Sequence, residues 1–129
     1  MSKLNKFVLK NNLWVSVIAL TFNSPVWADE IIRFTIHGEP AYYVGEKVNP
    51  ELTHKRGGTY QIQMNTPGHP LWIKTVQSAG ADTAYSKGIT GNGTDRGTIT
   101  FVVPTDAPDH LVYNCQYHIV MHGIINITN

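Results

Sequence analysis

Cross-linking is the first thing this chain cannot do for itself. Among its 129 residues Cys115 is the only cysteine, so an internal disulfide is excluded. Basic surplus is also missing: residues 29–129 carry seven Lys and Arg against nine Asp and Glu. A chain without a basic stripe offers no electrostatic footprint for a nucleic-acid partner. No stretch sustains a helical apolar period over ten residues with good caps, which argues against a helical fold. There is no internal repeat and no low-complexity tract. The length suits one domain and is too short for two.

Apolar runs are scarce as well, and the main one lies at the start. Lys3, Lys6 and Lys10 precede the apolar segment LWVSVIALTF at residues 13–22, and Val26 and Ala28 follow as small residues in NSPVWA. That order is the anatomy of a secretory signal peptide. The ten-residue run is shorter than the roughly 20 residues that span a bilayer. Residues 1–28 are therefore read as a cleaved leader and residues 29–129 as the mature domain, with no membrane span after cleavage. The expected location is outside the cytoplasm, periplasmic if the source is a Gram-negative bacterium and secreted otherwise. A lone thiol in such a compartment is either a liability or occupied, and a metal bond would both protect and explain it.

What is present reads as strands. Residues 29–37, 59–64, 71–76, 98–103, 111–115 and 123–128 are short β-branched or aromatic runs; TYQIQM at 59–64 alternates most cleanly. GEP, KRGG, TPGHP, GNGTDRG and PTDAPD punctuate them as turns. The expectation is an all-β, Greek-key sandwich of about eight strands, with residues 78–97 as a long loop.

The chemistry concentrates in YNCQYHIVMHG, residues 113–123. Cys115, His118 and Met121 follow at two-residue gaps. Thiolate, imidazole and thioether form a ligand set for soft to borderline metals; Cys with two His and a weak axial Met is the trigonal blue-copper arrangement. The second imidazole must come from elsewhere. His69 is the best candidate, because Pro67, Gly68 and Pro70 restrict the turn that carries it. Other readings stay open at this point. Cys115 can be a small buried hydrophobe and Met121 a core residue. Zinc can be held by His69, Cys115, His118 and His122, ignoring Met121. A Cys-His enzyme lacks an evident third residue or oxyanion hole, so no catalytic residue is assigned. His37, His54 and His110 have no neighbours of ligand type and are read as surface or strand-end residues.

Tyr113, Cys115, His118, Met121 and Gly123, followed by Ile124, Ile125 and Ile127, resemble the metal-binding end of the cupredoxins, the small blue copper proteins. The two short gaps are similar to the amicyanin ligand loop, and plastocyanins have a longer one. RGGTYQIQMNTPGHPLWI and TITFVVPTDAPD resemble the strands that precede the first histidine and the cysteine. The resemblance covers roughly residues 30–129. It implies an eight-stranded sandwich with one copper ion held at one end by His69, Cys115, His118 and Met121. It further implies a monomeric, non-enzymatic carrier of single electrons that meets redox partner proteins transiently; a copper storage, copper delivery or zinc-binding role is the alternative. Two positions depart from the family pattern. Pro70 stands where cupredoxins usually have an Asn that braces the ligand loops, and Pro70 has no N–H for the thiolate. Tyr117 stands where the amicyanin-type loop has Pro, so a backbone hydrogen bond to the sulfur is expected from Tyr117.

Overall fold

The computed structural model describes residues 29–37 and 39–129. The leader read over residues 1–28 lies outside the described residues. The described residues form ten strands: β1 Glu30–His37, β2 Glu39–Val44, β3 Lys47–Val48, β4 Leu52–Lys55, β5 Thr59–Asn65, β6 Leu71–Lys74, β7 Ile89–Thr90, β8 Arg96–Val102, β9 His110–Cys115 and β10 His122–Thr128. They form two mixed sheets, ordered β3-β2-β1-β5-β8-β7 and β4-β10-β9-β6. The all-β sandwich expected from the sequence is what forms; two of its strands, β3 and β7, are only two residues long.

The alternation that marks β5 is real: Tyr60, Ile62 and Met64 are all buried. Opposite them β9 and β10 contribute Leu111, Tyr113, Cys115, Ile125 and Ile127 to the same core. Each sheet includes one parallel pairing that joins distant parts of the chain, β1 with β5 and β4 with β10. Around Phe34 the core is aromatic, with Tyr42 edge-on at 5.6 Å and Tyr113 edge-on at 5.1 Å.

Gly123 has a clear steric task. It pairs with Tyr113 across β10 and β9, and a Cβ at position 123 would lie 2.2 Å from the Tyr113 Oη. The phenol cannot step aside, because its hydroxyl donates to the Pro50 carbonyl at 2.6 Å and its ring abuts Phe34. Gly123→Ala should therefore cost about 2–3 kcal/mol through overpacking, measurable as a lower urea midpoint. A midpoint equal to wild type would show that the ring has room to move.

His54 departs from the surface position expected for it. Its side chain is buried on the inner face of β4, stacked on Tyr60 with ring centroids 3.8 Å apart and 7° between planes. Among the described residues neither ring nitrogen has a hydrogen-bond partner. Desolvation favours the neutral ring and lowers its pKa from 6.5 to about 4. The unfolded chain takes up this proton near pH 6.5, while the fold resists it until about pH 4. Stability is thus whole above about pH 6.5 and falls as pH drops towards 4, by up to about 3 kcal/mol. His54→Phe keeps the stack and removes the titration. Between pH 7 and 4.5 it should lose about 2–3 kcal/mol less stability than wild type does. Parallel urea midpoint curves for the two proteins would refute this.

Candidate metal centre

The site is built where β9 ends. Leu71 at the start of β6 pairs with Cys115 at the end of β9, so the turn before β6 and the loop after β9 meet at one end of the sandwich. Cys115 is completely buried, and His69 and His118 are half-buried. The Cys115 Sγ lies 3.7 Å from Nδ1 of His69 and 3.6 Å from Nδ1 of His118. The two imidazoles face each other at 4.8 Å between centroids. These three residues converge with candidate ligand atoms all within 4.8 Å of one another. Metal–nitrogen bonds of about 2.0 Å and a metal–sulfur bond of about 2.3 Å separate sulfur from nitrogen by about 3.5–3.7 Å at tetrahedral to trigonal angles. The donors already have that spacing.

Met121, the fourth residue of the expected set, is fully buried and follows His118 in the same loop. Its backbone closes the loop: Cys115 N–H donates to the Met121 carbonyl at 2.9 Å, and Met121 N–H donates to the His118 carbonyl at 3.0 Å. His122 does not join the cluster. It lies on the outward-facing side of β10, with Nδ1 3.2 Å from the Val120 carbonyl. Burial, and then the neighbouring His118, lower the pKa of His69. Both effects favour the neutral imidazole, the form that can donate a lone pair to a metal.

The bracing of the loops differs from what the sequence suggested. Among the described residues the hydrogen bonds of Cys115 Sγ run to the two imidazoles, and none comes from the Tyr117 N–H. Tyr117 instead occupies the exposed bend after Gln116. Pro70 contributes through its carbonyl, which accepts the Gln116 N–H at 3.0 Å and ties one ligand loop to the other. The buried amide of Asn114 takes the larger share. Its Nδ2 donates to the carbonyls of Ile119 and Met121 at 3.1 and 3.0 Å, with a longer contact of 3.4 Å to His118. Its Oδ1 accepts from Ser78 N–H at 2.9 Å and Lys74 Nζ at 3.3 Å. Beyond the first histidine, Thr66 donates its hydroxyl to the His69 carbonyl at 3.1 Å, and Asp95 accepts the Gly68 N–H at 2.9 Å. Burial raises the pKa of the Tyr42 phenol well above its usual value, and the adjacent Cys115 sulfur raises it further.

Asn114 and Tyr42 went unseen in the sequence. For Tyr42 the one local signal is the aromatic pair Tyr42-Tyr43, which marks a strand but not a role at the site. For Asn114 no local signal exists, because its partners are backbone groups of three loop positions and a distant turn together with the Lys74 ammonium.

No protein-family model and no curated protein matches the chain. Solved structures do. Rusticyanin from Thiobacillus ferrooxidans superposes with a TM-score of 0.51 at 20% identity, over 89% of this chain and 94% of that one. Another rusticyanin structure, described as a copper protein, gives 0.52 at 18% identity over 88% and 93%. Auracyanin B gives 0.50 at 13% identity over 82% and 94%. The chain has the cupredoxin fold. Within that fold the cluster occupies the end of the sandwich where β9 leads into β10.

Proposed function

We propose that this protein is an exported blue copper protein that carries single electrons through one copper ion bound by His69, Cys115, His118 and Met121. The observation that carries the proposal is the position of the Cys115 sulfur, 3.6 and 3.7 Å from two imidazole nitrogens and buried beside Met121. That donor set suits copper in both oxidation states: the soft sulfurs favour Cu(I), and the imidazoles accommodate Cu(II). Bound copper would supply the one-electron change. The chain's part is to hold the donors in a dry, braced pocket that rearranges little between states. The copper protein rusticyanin among its structural neighbours supports the same reading.

His118 sits in the loop between Cys115 and Met121, where Tyr117, Ile119 and Val120 are 64%, 47% and 65% exposed. An apolar rim around a half-buried ligand gives a redox partner protein a short route to the metal and a surface that releases it again. No catalytic group is needed for this task. The zinc alternative requires His122 at the metal, and its position on the outer side of β10 disfavours it.

The test is direct. Cu(II) added to protein beginning at residue 29 should produce an intense visible band from thiolate-to-copper charge transfer, reversibly bleached by a one-electron reductant. A colourless protein that retains zinc through gel filtration would support a metal-handling role instead. A blue protein whose copper passes readily to a chelator but exchanges electrons slowly would point to copper storage or delivery.

A further inference from the structure

We infer that Tyr42 is a positioning residue for the metal centre, a buried clamp on the backbone of His69 held in place by the turn at Asn49. Tyr42 lies on β2, in the other sheet from β6 and β9, and is far from every ligand in sequence. Its side chain is fully buried and its hydroxyl donates to the His69 carbonyl at 2.9 Å. The Thr66 hydroxyl divides its one proton between this oxygen at 3.1 Å and the Asp95 carbonyl at 3.2 Å, so the Tyr42 phenol is the donor committed to the His69 carbonyl. With the His69 N–H donating to the Thr66 carbonyl at 2.9 Å, the ligand residue is held on both sides of its Cα, which restrains its imidazole from swinging away from Cys115.

The far end of the clamp is equally fixed. Tyr42 N–H donates to Asn49 Oδ1 at 2.8 Å, and Asn49 N–H donates back to the Tyr42 carbonyl at 2.7 Å. Asn49 makes this return bond at φ 43°, the one non-glycine residue with positive φ among those described. Asn tolerates that region better than most residues do. The ring of Tyr42 is set edge-on to Phe34 at 5.6 Å and to Tyr113 at 5.9 Å, so the phenol has one direction open to its hydroxyl. A continuous path of short contacts therefore runs from the Asn49 turn through Tyr42 to His69 and Cys115. Groups that orient a ligand in this way commonly change metal affinity by about 10–100-fold when removed.

Tyr113 supplies a matched control. It too is a buried tyrosine on the same aromatic cluster, and it too donates to a backbone carbonyl, that of Pro50 at 2.6 Å. Each of Tyr42→Phe and Tyr113→Phe deletes one buried hydroxyl and keeps its ring. Two measurements separate the clamp from general stability. In the metal-free protein, amide hydrogen exchange at His69 should quicken about tenfold in Tyr42→Phe and stay near wild type in Tyr113→Phe. In the Cu(II)-loaded protein, Tyr42→Phe should bind copper at least about tenfold more weakly and change the shape of the charge-transfer band, while Tyr113→Phe leaves the band alone. Asn49→Gly, which permits the positive φ but removes the Oδ1 acceptor, should move the same readouts in the same direction. Equal exchange at His69 in the two tyrosine variants overturns the inference, as does a Tyr42→Phe band and affinity indistinguishable from wild type. The copper arm rests on the proposed function. A wild-type protein that shows no band strikes at that reading, and the exchange result alone then decides whether Tyr42 holds the loop.

Discussion

Serine in place of Cys115 should leave a folded protein with no intense visible band in the presence of Cu(II). The band requires a sulfur orbital able to pass charge to copper. A serine hydroxyl is a hard donor that remains protonated near neutral pH, so it removes both the charge transfer and most of the preference for Cu(I). The fold should tolerate the change: serine is close in size, and its hydroxyl would face the two half-buried imidazoles rather than an apolar wall. A stability loss of about 1 kcal/mol is expected, within the ordinary range for a single substitution. Met121→Gln should behave differently. On the proposed blue-copper reading it would exchange a weakly bound thioether for an amide oxygen, so the band should persist while the reduction potential changes. Absorption spectra and potentials of the two variants check both statements. A band of undiminished intensity in Cys115→Ser would end the blue-copper reading, because no other thiol in the chain could replace the missing one.

The parts of the site that could be read in the sequence are those whose spacing is local. Cys115, His118 and Met121 lie within seven consecutive residues, and the turn that carries them needs no distant partner to be recognised. His69 was reachable through its Pro-Gly-His-Pro turn, but its meeting with Cys115 depends on the pairing of β6 with β9 in the register Leu71 to Cys115. Strands β5, β8, β9 and β10 declared themselves by alternation or by β-branched runs bounded by turns. Strands β2 to β4 did not. β2 reads EPAYYV, with no clear period; β3 is two residues long; and in β4, LTHK, a charged and a hydroxyl side chain surround a histidine. The burial of His54 was nonetheless implied by the two-residue period, since Leu52 and His54 share a face. Read as a surface or strand-end group, His54 is instead used as an aromatic plate stacked on Tyr60.

Asn114→Ala should be the most damaging single change outside the ligands themselves, costing about 3–5 kcal/mol. The amide is fully buried and almost every hydrogen-bonding site it has is in use. Alanine would orphan the Ser78 N–H and take one partner each from the Lys74 ammonium and from the carbonyls of Ile119 and Met121, which keep only Gln77 Nε2 and the Cys115 N–H. Orphaned buried groups cost more than the bonds they made. Lys74 sharpens the effect. It is itself buried, desolvation lowers its pKa, and its remaining contact is with the Ser78 carbonyl at 2.5 Å. The consequence reaches the metal centre because the carbonyls that Asn114 holds belong to the segment between His118 and His122. Freed of them, that segment can open and His118 and Met121 lose their fixed distance from Cys115. The variant should therefore combine a lower urea midpoint in the metal-free state with faster copper release in the loaded state. Asn114→Asp separates the two halves of the network. Its carboxylate can still accept from Ser78 and Lys74 but cannot donate to Ile119 or Met121, so it should regain part of the stability and keep the fast release. If Asn114→Ala unfolds within about 1 kcal/mol of wild type, water replaces the amide at little cost, and the rigidity of the ligand loop must come from the backbone bonds between Cys115, His118 and Met121 alone.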